Sequence, residues 1–68
     1  MFRTLEISEP AELHVTQGQL KIYREGQETL SVPLEDLATI TCIGSGIRLS
    51  TLAMAEIAKQ DISLMVID

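Results

Sequence analysis

The run Ala38-Thr39-Ile40-Thr41-Cys42-Ile43, broken by Gly44-Ser45-Gly46 and answered by Ile62-Ser63-Leu64-Met65-Val66-Ile67, decides the fold. The first run is β-branched and apolar, and reads as a strand. Gly44-Ser45-Gly46 ends it, and Ile47 with Leu49 makes a brief extended piece. Ser50 is a good N-cap residue, so Thr51 to Gln60 reads as a helix. At about 100° per residue, Glu56, Lys59 and Gln60 fall on one side of it. Ala53, Met54, Ile57 and Ala58 fall on the other. The closing run is apolar at nearly every position, the pattern of an interior strand buried on both faces. From Ala38 to Ile67, the order and length are those of a βαβ crossover.

Toward the N-terminus the period is that of half-buried strands. Leu5 and Ile7 alternate with Thr4, Glu6 and Ser8 until Pro10. Leu13 and Val15 alternate with Glu12, His14 and Thr16, and Leu20 and Ile22 alternate with Lys21 and Tyr23. Gln17-Gly18-Gln19 joins these two runs as a turn, where Gly18 can take a positive φ, so they read as a β-hairpin. Glu25-Gly26-Gln27 is a second turn. Leu30, Val32 and Leu34 form the next alternating run, and Pro33 places it at a sheet edge or ends it there. Leu34-Glu35-Asp36-Leu37 reads as a turn. The fold class is therefore α+β: a small, mostly antiparallel, sandwich-like β-domain with one amphipathic helix near the C-terminus.

Composition bounds the function. The 68 residues are 46% hydrophobic, which suits one core and excludes a disordered chain. Phe2 and Tyr23 are the only aromatic residues besides His14, so the core is aliphatic. A net charge of −5 with a pI near 4.6 argues against a free-standing nucleic-acid binder and against an electrostatic membrane anchor. A single cysteine excludes an internal disulfide, and Cys42 with His14 is too few soft ligands for a zinc finger. Met1 to Glu6 has no apolar signal region, so cytoplasm is the expected compartment, with no membrane partner. The chain stops directly after its most hydrophobic run, which reads as a fragment cut at a domain boundary.

Candidate chemistry is sparse. His14 reads as a surface histidine on an outward strand position, with a ring that stacks on a base as the functional alternative. A catalytic triad would need His14, Ser50 or Ser63, and an acid to converge, and no spacing supports it. Cys42 reads as a small buried apolar side chain. Gly44-Ser45-Gly46 lacks the third glycine of a dinucleotide fingerprint and the lysine of a phosphate loop. Glu35 and Asp36 read as solvated turn acids, a weak signal for Mg²⁺ even with Asp68 added. Lys21 and Arg24 stand at odd spacing and do not share a strand face. They read as solubilising residues, with a phosphate contact as the alternative.

Read end to end, Phe2 to Asp68 resembles the N-terminal β-domain of the CRISPR-associated integrase, CRISPR-associated protein one, and within it the type II members. The resemblance is carried by Phe2-Arg3-Thr4-Leu5-Glu6-Ile7-Ser8, by Pro10-Ala11-Glu12-Leu13 with Gln19-Leu20-Lys21-Ile22, and by Val32-Pro33-Leu34-Glu35-Asp36-Leu37-Ala38. Ile47-Arg48-Leu49-Ser50, with Ala58 near the helix end, and Ile62 to Asp68 complete it. Each motif is short, but they occur in order over the whole length.

The resemblance implies that residues 1–68 are an N-terminal β-domain that precedes an all-helical catalytic domain. The family's Mg- or Mn-dependent DNA cleavage and strand transfer belongs to that second domain, so no cofactor is expected within residues 1–68. The implied role is dimerisation and assembly, as a homodimer through the β-domain, with CRISPR-associated protein two and protospacer DNA joining the full-length complex. Some members bracket the duplex end with an aromatic residue near the hairpin tip, where this sequence has Gln17. The nearest rings are His14 and Tyr23, and with Lys21 and Arg24 they are the candidate DNA contacts. Two other readings compete. One is a stand-alone module that binds a protein or peptide at a sheet edge. The other is an enzyme fragment with a metal site at Glu35, Asp36 and Asp68.

Overall fold

A computed structural model describes residues 3–67. In chain order the elements are β1 (Arg3–Ile7), β2 (Ala11–Thr16), β3 (Gln19–Tyr23), β4 (Leu30–Pro33), a 3-10 turn (Leu34–Asp36), β5 (Leu37–Ile43), β6 (Ile47–Leu49), α1 (Thr51–Lys59) and β7 (Ser63–Ile67). Two sheets face each other. One has the order β1-β5-β7, the other β4-β3-β2-β6.

Local chemistry accounts for the joints. Gln17 and Gly18 form a two-residue hairpin loop, both with positive φ (52° and 73°), the geometry whose twist matches paired strands. The Gly18 carbonyl also accepts from the Leu34 N–H at 2.9 Å, which ties the loop to the 3-10 turn. Gly46 meets the first inter-strand connection. A Cβ there would lie 2.9 Å from the Pro10 Cβ, and its carbonyl accepts from the Ala11 N–H at 3.1 Å. Ser50 caps α1, its hydroxyl oxygen accepting from the Ala53 N–H at 3.0 Å. The helix ends in a Schellman motif. Asp61, at φ 56°, donates its N–H to the Ala58 carbonyl, and Ile62 donates to the Ile57 carbonyl, while Ile57 and Ile62 are both buried.

Both sheets feed one aliphatic core. Leu13, Leu20, Leu34 and Ile40 are fully buried, and Ile7, Ile22, Cys42 and Ile57 nearly so. Each such aliphatic side chain contributes about 1.5–3 kcal/mol by leaving water. The Arg3–Asp36 and Lys59–Glu56 pairs are exposed or half-exposed and of the kind worth about 0.2–1 kcal/mol. The core therefore holds the fold.

The α+β class, the hairpin, the edge position of β4 and the helix span are as expected from the sequence. Three features differ. Antiparallel pairing holds for β2-β3-β4 alone, while β1-β5-β7 is parallel throughout and β6 joins β2 in parallel. The reason is topological. The segments between β1, β5 and β7 are long enough to cross over, and they fill the second layer. The strand β7 is an edge strand, not an interior one, and Met65, Val66 and Ile67 are exposed. The buried stripe of α1 narrows to Ala53 and Ile57, and Met54 and Ala58 face water because the helix touches the sheets along one line. Phe2 and Asp68 lie outside the described residues.

Both helix ends are testable by urea denaturation. Ser50→Ala removes the cap acceptor and should cost about 1 kcal/mol. Asp61→Val places a β-branched residue in left-handed backbone and should cost about 1–2 kcal/mol. Unchanged midpoints for both would refute these end assignments.

Candidate functional site

The hairpin register decides which candidate residues meet. The two-residue loop pairs His14 with Lys21 and Glu12 with Tyr23, and β6 adds Arg48 beside Glu12. These side chains share the outer face of the four-stranded sheet. The His14 and Tyr23 rings meet edge to face, with centroids 5.4 Å apart and planes at 72°. The His14 Nε2 lies 3.8 Å from a Glu12 carboxylate oxygen. Lys21 donates from Nζ to the Ser31 hydroxyl at 2.8 Å. An open groove of about 540 Å³ runs past Glu12, His14, Thr16, Tyr23, Ser50 and Leu52. This face offers stackable rings and one or two cations, offset by Glu12.

The remaining candidates fall elsewhere. Arg24 does not join this face. Its side chain is 19% exposed, and its Nη1 lies 3.5 Å from Glu9 Oε1, while the other carboxylate oxygen, Glu9 Oε2, accepts from the Gln27 amide at 3.2 Å. The Arg24 Nε is buried without a hydrogen-bond partner. Arg24 and Arg48 line a second open hollow, but Glu12 and Glu25 line it too, and Glu9 holds Arg24, so it is not an anion pocket. Gln17 occupies the hairpin tip, and Tyr23 stands at the opposite end of the hairpin. Among the described residues, no aromatic ring occupies the tip itself.

The sequence-level alternatives also resolve. Ser50 shares the groove with His14 and Glu12, but its oxygen is engaged as the helix cap, and Ser63 lies in the other sheet. Glu35 is exposed on the 3-10 turn, and Asp36 lies 4.0 Å from Arg3. Among the described residues, no three His, Cys, Asp or Glu side chains gather to hold a metal. Asp68, the third member of the supposed metal site, lies outside them. Gly44-Ser45-Gly46 is the loop between β5 and β6. Cys42 is 2% exposed, and burial pushes its thiol pKa up.

Comparison with known proteins gives the frame. The family described as CRISPR associated protein Cas1 matches residues 5–68. The chain belongs to the Cas1 family. Among solved structures, a TtCas1–DNA complex superposes with a TM-score of 0.74 at 19% identity over 87% of this chain. A casposase bound to integration product superposes with a TM-score of 0.67 at 16% identity over 98% of it. Both likenesses establish the fold. The chain spans 21% of the length of each of these structures. No curated protein sequence matches it.

The feature that sequence reasoning missed in this Cas1 domain is the uncovered apolar edge. Seven large hydrophobic residues are exposed among those described, and five of them lie between Leu52 and Ile67. The signal was present in the apolar run of residues 62–67, but an apolar run is silent on which side lacks a neighbour.

The buried thiol gives a pH prediction. Burial holds its folded pKa above that of an unfolded thiol, so its contribution to stability is full below the unfolded pKa and is lost as pH rises through the folded one. Stability measured from pH 7 to 10 should fall at the alkaline end, and a Cys42→Ala variant should show a smaller fall. Equal alkaline losses in the two proteins would contradict the assignment.

Proposed function

We propose that this chain is the dimerising assembly domain of a CRISPR adaptation integrase, a type II member acting in the cytoplasm. In this reading it captures no substrate alone and leaves DNA cleavage and strand transfer to the remainder of a Cas1 polypeptide. One observation carries the proposal: the Cas1 match runs over residues 5–68, while the chain spans about a fifth of the Cas1 and casposase chains it superposes on. One of those two structures is a complex with DNA and the other is bound to an integration product, which supports DNA as a partner of the assembled protein. CRISPR-associated protein two is the further partner the reading implies.

The magnesium or manganese of the family does not fit the described residues, whose acids stand alone or in ion pairs. No step through a metal is assigned to them. The His14, Tyr23 and Lys21 face is the surface this reading offers to a nucleic-acid end, through stacking and at most a modest phosphate contact.

Three outcomes test the proposal. With Mg²⁺ or Mn²⁺ the pure chain should leave duplex DNA intact. Metal-dependent nicking that disappears in a Glu35→Ala, Asp36→Ala variant would overturn the assignment. Duplex DNA should bind no tighter than about 1 μM at physiological salt, because a chain of net charge −5 neutralises few phosphates. Sedimentation equilibrium at tens of micromolar should give a mass near twice 7.5 kDa. A clean monomer would count against the assembly role.

A further inference from the structure

Along one side, the two sheets are not stitched together. Strands β1 and β4 are both edge strands, each bonded to a single neighbour, and no ladder joins them. Between them lies a third hollow of about 70 Å³, more enclosed than the two described above. Leu5 and Ile7 line it from β1, and Ile22 and Leu30 line it from β3 and β4. Ile7 and Ile22 are buried, whereas Leu30, across the ladder from Ile22, is 44% exposed. The hollow therefore opens from the edge of the core to solvent. Its volume is half of the about 150 Å³ in which a protein cavity takes up benzene, so it admits one branched aliphatic side chain and not a ring.

The surroundings of this hollow are acidic. Glu6, Glu9 and Arg24 complete its lining. Glu9 holds Arg24 through one carboxylate oxygen and Gln27 through the other, which fastens the β3–β4 loop to the connector before β2. The same loop carries Glu25 and Glu28, both exposed, and Leu30 follows Glu28 by two residues. Four of the ten acids of the chain thus belong to the segments that frame one apolar hollow, and Arg24 is the cation set among them. Four carboxylates less one guanidinium leave −3 of the net −5 at this seam.

We propose that the β1–β4 seam docks a basic peptide segment of a partner protein, which seats one branched aliphatic side chain in the hollow and sets Lys or Arg side chains against the acidic rim. Charge complementarity selects this occupant. A phosphate backbone is repelled by the rim. A second copy of the chain carries its own net −5 and sets like charges against it. The inference goes beyond the integrase reading and uses neither the His14 and Tyr23 face nor any contact between copies. One anchor side chain with a few rim charges makes a contact far below the standard interface size, so a dissociation constant on the order of 100 μM is expected.

The test is a titration of the isotope-labelled 68-residue chain, followed by backbone amide chemical shifts at low ionic strength. The probe is an acetylated and amidated peptide with one leucine flanked on each side by two lysines. The amides of Leu5, Ile7, Leu30 and the loop from Arg24 to Thr29 should move together and saturate. Exchanging the leucine of the probe for alanine leaves the protein untouched and should weaken binding at least about tenfold. Glu28→Lys, at an exposed position, should weaken it about threefold, whereas Glu56→Lys, the same charge change on α1, should leave it unchanged. No binding, equal binding of the leucine and alanine probes, or equal losses in the two charge variants would overturn the proposal, the last two by reducing it to diffuse charge attraction. The same amides moving with duplex DNA, or on concentrating the chain alone, would overturn it in favour of nucleic acid or of a second copy.

Discussion

Strand β5 is the constraint on which the rest depends. It is the interior strand of its sheet, parallel to β1 on one side and to β7 on the other, so it joins the first and last strands of the described chain. Parallel neighbours cannot be joined by a tight turn. The segment from β1 to β5 must cross over, and it does so as the β2-β3-β4 meander. The segment from β5 to β7 must also cross, and it does so as β6 and α1. These two crossovers are the second layer. The sandwich is thus a consequence of parallel pairing around β5, whose Ile40 and Cys42 face what the crossovers bring.

That plan has a cost at the rim. The second layer covers the middle of the β1-β5-β7 sheet, and the core is complete around Leu13, Leu20, Leu34 and Ile40. It does not extend over β7, where Val66 keeps the face of a core residue and the exposure of a surface one. A domain this small hides a limited share of its apolar surface. Most of what is left over lies in α1 and β7, while the outer face of the four-stranded sheet carries Glu12, His14, Lys21 and Arg48. The β7 edge is apolar, whereas the groove on the four-stranded sheet mixes these charged and polar groups with Tyr23 and Leu52.

How much of this was legible depends on distance along the chain. The hairpin turn at Gln17-Gly18, the stop at Pro33, the Ser50 cap and the burial of Cys42 are short-range facts, and local pattern suffices for them. The hairpin register follows from its two-residue loop, so the meeting of His14 with Tyr23 was within reach of the sequence. The pairing of β1 with β5 was not, because nothing in either strand specifies a partner more than thirty residues away. Nor was the contact of Arg24 with Glu9, which links residues from different turns. The apolar run of β7 correctly reports a strand that needs cover on both faces, but composition cannot say whether that cover lies in the same chain.

Backbone hydrogen exchange, followed residue by residue, tests the central claim most directly. The account predicts that the amides of β5 are the slowest, since it is bonded on both sides, and that the amides of β1 and β7 turned away from β5 exchange faster. A β5 that exchanges as freely as the edges would contradict it.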